Sequence, residues 1–136
     1  MSHATIRLIY QQRLAEWAAI KGLQVAYQGV QFEPTEGESY LRAFLIPAGT
    51  DSNTLAGDHK AYTGVFQVSI VTPSGYGPTQ AETLADEISE LFPIFLRLSR
   101  DQLEVIVLTP VEPGPGVTDD ATYTVAASFQ YRADTE

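Results

Sequence analysis

The stretch from Tyr62 to Phe92 constrains the fold more than any other. It opens with Tyr-Thr-Gly-Val-Phe-Gln-Val-Ser-Ile-Val, in which Phe66, Val68 and Ile70 fall on one side of an extended chain and Val65, Gln67, Ser69 and Val71 on the other. A strand with so apolar a face needs a cover, and the next segment supplies it. After a turn rich in Gly and Pro, Ala81, Leu84, Ala85, Ile88, Leu91 and Phe92 recur at helical spacing. Thr79 and Glu82 stand in the T-x-x-E arrangement of a capping box. Pro93 ends the helix, because proline lacks the N–H and its ring clashes with the preceding turn. The expectation is a long central strand, a tight turn and a helix folded back on the sheet.

The flanks extend this unit. Ile6, Ile9, Tyr10, Leu14, Trp17 and Ile20 form an apolar stripe on a first helix that runs to about Lys21, with Ser2 or Thr5 as its cap and Gly22 just past its end. Val25 and Tyr27 mark a brief strand. Tyr40 to Ile46 is apolar on both faces, so this strand is expected to be central or covered on both sides, and Arg42 needs a partner there. Pro93 to Arg100 reads as a short turn or edge segment and Leu103 to Thr109 as a strand. Val111 to Ala121 reads as a loop in which Asp119 and Asp120 do turn chemistry. Thr122 to Arg132 alternates Tyr123, Val125, Ala127, Phe129 and Tyr131 with smaller, more polar residues, and pairs antiparallel with the strand before it. The sum is one α+β domain over residues 1–136, with two helices packed on one face of a mainly antiparallel sheet of about four to five strands. A chain of 136 residues buries roughly 68% of its unfolded surface, enough for a core without staples.

Composition removes several function classes. With 17 acids against 8 bases the net charge is −9, which opposes binding DNA by phosphate neutralisation but allows DNA to pass close by. There is no cysteine for a disulfide or thiolate metal site. The sequence has no apolar run of membrane-spanning length and no secretion-signal pattern, so a cytoplasmic setting is expected. It also has no phosphate-binding loop, dinucleotide fingerprint, zinc-protease motif, serine elbow or calcium loop. Two histidines far apart make a poor metal set. The expectation is a protein that is not an enzyme and holds no cofactor or metal.

Two groups of residues stand out. Pro47 to Ala61 reads as the longest irregular stretch, and loops of that length in a small domain usually have a task. It carries Asp51, Asn53, Leu55, Asp58, His59 and Lys60. Leu55 is apolar in polar company. Asp58 beside His59 has the look of part of a catalytic or metal pair, but lacks a nucleophile or a second ligand. The second group is Glu82, Asp86 and Glu90, spaced i, i+4, i+8 on one helix face, where like charges cost roughly 0.2–0.5 kcal/mol per pair. A solvated face explains them, as does a surface turned to a basic neighbour or an acidic channel. Glu33, Glu36 and Glu38 sit among Pro and Gly and read as a solvated turn.

One resemblance covers nearly the whole chain. Its elements are the first helix, Phe32-Glu-Pro, Tyr40-Leu-Arg at a strand start and Gly64-Val-Phe-Gln-Val. The Pro73 to Gly77 turn, Ala81 to Phe92 ending in Phe-Pro, and the last alternating strand complete it. In combination these resemble the tail terminator, or tail completion, proteins of long-tailed bacteriophages and prophages, in particular the lambda-type group. The resemblance implies a virion tail protein, assembled in the bacterial host cytoplasm. It implies a homo-oligomeric ring, a hexamer, that caps the tail tube and ends its polymerisation. The ring then presents a surface to the head-completion protein, and DNA only passes through it. In that setting Asp51, Asn53, Leu55, Asp58, His59 and Lys60 are candidates for subunit or tube contacts, and Glu82, Asp86 and Glu90 for a partner or channel face. The alternatives are a neck or head–tail connector protein, and a small soluble ligand-binding protein or enzyme built on Asp58 and His59.

Overall fold

A strand long enough to cross the whole domain sits at the centre, as its alternation requires. The computed structural model describes residues 3–33, 37–52, 60–75, 77–119 and 121–135. In chain order these form α1 (His3–Lys21), β1 (Gln24–Tyr27), β2 (Tyr40–Ser52), β3 (Lys60–Pro73), α2 (Thr79–Leu91), β4 (Arg97–Arg100), β5 (Leu103–Val107), β6 (Glu112–Pro113), β7 (Val117–Thr118) and β8 (Thr122–Thr135). The strands make one sheet in the order β1-β2-β3-β8-β5-β4, and the two-residue pieces β6 and β7 pair with β8. The sheet has eight strands, more than the four to five expected. Its pairs are antiparallel except β1 with β2, which is parallel.

Register brings the apolar positions together on one face. Leu41, Ala43 and Leu45 of β2 stand opposite Ile70, Val68 and Phe66 of β3. Phe66, Val68 and Ile70 in turn face Phe129, Ala127 and Val125 of β8. Both helices cover this face. From α1 come Ile6, Ile9, Tyr10, Leu14 and Ala18, and from α2 come Ala81, Leu84, Ala85 and Ile88, all in one buried cluster. At its heart Tyr10, Phe66, Phe92 and Phe129 form a tetrad in which all six pairs of ring centroids lie 5.1–5.8 Å apart. Gly64 is required beside it. A Cβ at that position would come within 2.6 Å of the Ile46 carbonyl oxygen and 2.7 Å of the Tyr131 ring.

Several expectations need correction. The described residues of Pro47 to Ala61 are strand rather than loop, and 53–59 lie outside the described residues. β2 runs on to Ser52 and β3 begins at Lys60, with Asp51 opposite Ala61 and a bulge between Pro47 and Gly49. A bulge absorbs the proline and glycine that otherwise argue against a strand. The expected capping box at α2 does not form. Pro78 takes the N-cap position and offers no side-chain acceptor, which leaves Thr79 inside the helix. Ser2 lies outside the described residues, and α1 has already begun before Thr5. The first helix does end as expected, with Leu23 N–H donating to Ala18 O at 2.9 Å and Gly22 at φ 72. Ile20, however, is 84% exposed, and Ala18 occupies the core position instead.

β2 is covered on both sides only at its start. There the Phe32 ring lies 5.2 Å from Tyr40, whereas Ile46 is half exposed. Arg42 finds its partner locally, with its guanidinium 5.5 Å from the Tyr40 ring centroid. The presumed loop after β5 supplies β6 and β7, which continue along the β8 edge that β5 occupies further on.

The Tyr10 hydroxyl is buried and has no hydrogen-bond partner among the described residues. An unmet buried hydroxyl costs about 1–3 kcal/mol. Tyr10→Phe is therefore expected to leave the fold intact and to raise the melting temperature by several degrees. Phe129→Ala, which empties one corner of the tetrad, is expected to lower stability by about 3–5 kcal/mol. Thermal and denaturant melts of the two variants check both directions.

Candidate functional site

The acidic helix face is built as the spacing implied. Glu82, Asp86 and Glu90 are exposed on α2, and among the described residues none of them enters an ion pair. Their neighbour Glu87 differs, since it pairs with Lys21 at the end of α1. Glu82 and Asp86 also edge a groove of about 420 Å³, whose other side is the Pro113–Gly116 segment and whose floor includes Ala85, Tyr123 and Val125. The groove mixes carboxylates with apolar surface, a combination suited to the stem and head of a basic side chain.

The second candidate group is only partly visible. Asp51 stands on β2, and Lys60 is exposed at the first position of β3, so the two lie where the hairpin leaves the sheet. Asn53, Leu55, Asp58 and His59 lie outside the described residues, as does Glu36. The structure therefore brings Asp51 and Lys60 to one hairpin end and places Glu82, Asp86 and Glu90 on a helix.

A polar cluster at the base of that hairpin had no signal in the sequence. His3 Nδ1 lies 2.9 Å from the Tyr131 hydroxyl, and His3 Nε2 lies 3.4 Å from Thr50 Oγ1. The imidazole meets the Tyr62 ring edge-on at 5.1 Å. One side chain thus ties the start of α1 to β2, β3 and β8. Burial, and then the nearby Arg7 guanidinium, lowers the His3 pKa below the ordinary 6.5. Burial pushes the Tyr131 hydroxyl up to about 12 against the opposing pull of Arg7. It raises Tyr10 further still, with Tyr131 adding to the shift. These groups are therefore neutral at pH 7, and the cluster works as a structural clasp. His3 and Tyr131 are 128 residues apart, and neither belongs to a motif.

Two comparisons place this architecture. The family described as phage tail terminator protein matches residues 5–131. The chain belongs to the phage tail terminator family. One solved structure is 42% identical to this terminator, covers 98% of it and 96% of its own chain, and superposes with a TM-score of 0.83. No curated protein matches. Membership in a family of phage tail proteins makes this terminator a structural component of a phage tail. No helix among the described residues is long and apolar enough to cross a membrane.

The clasp gives the terminator a defined pH response. The folded His3 binds its proton less readily than the unfolded chain does. Its contribution to stability is therefore complete above pH 6.5 and is lost as pH falls through the lowered folded value. Thermal melts between pH 7.5 and 5 are expected to fall more steeply for the native chain than for His3→Gln. Equal slopes would show that His3 contributes nothing to the titration.

Proposed function

We propose that this terminator assembles as a ring, a hexamer, on the end of the finished tail tube. There it stops polymerisation and offers a surface to the head-completion protein. The observation that carries the proposal is the family match over residues 5–131. The architecture supports it in physical terms. A ring needs two different complementary patches per subunit, and this sheet ends in different strands, β1–β2 on one side and β5–β4 on the other. In this reading the stretch from Asp51 to Lys60, with Asn53, Leu55, Asp58 and His59, meets the tube or the next subunit. Glu82, Asp86 and Glu90 face a basic partner or the channel. An acidic wall repels phosphates, so DNA slides past it without sticking. The protein acts by binding, without catalysis, in the virion tail, and is assembled in the host cytoplasm.

Deletion of the gene in the parent phage or prophage, with tail lengths measured by negative-stain electron microscopy, tests the reading. Overlong or ragged tails that fail to join heads are expected. Complementation with the full chain should restore normal length, and complementation with a chain lacking Asp51 to Gly57 should not. Tails of normal length beside unjoined heads would move the protein to the neck, and infectious particles would refute both roles.

A further inference from the structure

Among the described non-glycine residues, the left-handed backbone region holds only Phe95, Asp101 and Gln102. Asp101 and Gln102 form the two-residue turn between β4 and β5, where such angles are normal. Phe95, at φ 68, is the third residue of a turn closed by the Leu96 N–H donating to the Pro93 carbonyl at 3.1 Å, a position glycine usually fills, and a bulky residue there is strained. The strained conformation displays the ring. Phe95 is 64% exposed, while its N–H donates to the Val107 carbonyl at 2.8 Å and so fixes it at the end of β5. Ile94 and Leu108, at neighbouring backbone positions, are also exposed. An apolar knob therefore stands at the β5–β4 end of the sheet.

The other end of the sheet holds a hollow. Ala26, Tyr27, Val30, Phe32, Arg42 and Phe44 line a cavity of about 220 Å³, enough for one aromatic ring. Val30 is an exposed apolar residue in this lining, and the Arg42 guanidinium already lies against one aromatic ring and can meet a second. Knob and hollow belong to opposite ends of the strand order, with β3 and β8 between them, so one copy cannot join its own. Two copies related head to tail can, and repetition of that contact generates a ring if the rotation closes.

We propose that Phe95, flanked by Ile94 and Leu108, inserts into the Val30–Phe32–Phe44 hollow of the next copy and forms the subunit seam. The inference rests on the ring reading above and names its contact. The chain has no cysteine, which makes crosslinking clean. Tails are purified from phage carrying the double variant Val30→Cys, Ile94→Cys, which keeps the Phe95 ring, and mildly oxidised. On a non-reducing gel this terminator is expected to run as a ladder of oligomers, whereas either single variant gives none. Capped tails that carry the protein without a ladder would overturn the seam and leave the ring reading standing. Native tails that never carry the protein at an end would overturn the ring reading itself.

Should the cysteine pair prevent capping, Phe95→Gly decides. Glycine suits the left-handed backbone, so the isolated variant is expected to melt at or above the native temperature while tail capping is lost. Normal capping by this variant would refute the seam. A clear drop in its melting temperature would also refute it, by showing that Phe95 serves its own subunit.

Discussion

Tyr10, Phe66, Phe92 and Phe129 come from α1, β3, the end of α2 and β8, and every pair of their rings is in contact range. Aromatic pairs of this kind add about 0.5–1.5 kcal/mol beyond the area they bury. More important than the sum is the connectivity. A helix can sit on a sheet in many orientations, but rings from both helices that interlock with rings from the two central strands leave few. The tetrad therefore fixes which sheet face is inside, which leaves the acids of α2 outward and the sheet ends free.

The surface that results is uneven. Several bases are held within the subunit: Lys21 pairs with Glu87, Arg97 with Glu104, and the Arg13 guanidinium donates to the Leu91 carbonyl. The excess of acid is thus displayed outward, most clearly along Glu82, Asp86 and Glu90. Exposed apolar residues include Phe95 and Ile94 at one sheet end and Val30 at the other, besides Leu8, Ile20, Ile46 and Val117. Like charge disfavours contact between α2 faces of neighbouring copies, and apolar knobs favour contact between the sheet ends. Both preferences suit a head-to-tail arrangement around an acidic channel.

What was legible in the sequence follows from range. The alternation of Phe66, Val68 and Ile70, and the helical recurrence from Ala81 to Phe92, are local patterns that tertiary packing preserved. The extension of β2 past Pro47 was not legible, because pairing to β3 across a bulge overrides the local preference of Pro and Gly. β6 and β7 are too short to carry any period. Ile20 continues the apolar stripe in sequence but points to solvent, while Ala18, outside that stripe, is buried. Among site residues, the acids of α2 follow from helical spacing alone. The His3 clasp needs two ends of the chain brought together, and the exposure of Phe95 depends on a backbone angle that no residue pattern announces. The family resemblance succeeded because it combined weak features along the whole chain.

The most direct test of the account is the position of this protein on the tail. Purified tails labelled with gold-conjugated antibody against it can be imaged by electron microscopy. The account requires a single focus at the head-proximal end of each tail. Label distributed along the tube would identify a tube component, and label confined to capsids would identify a head protein. Either pattern would contradict a ring that terminates the tail.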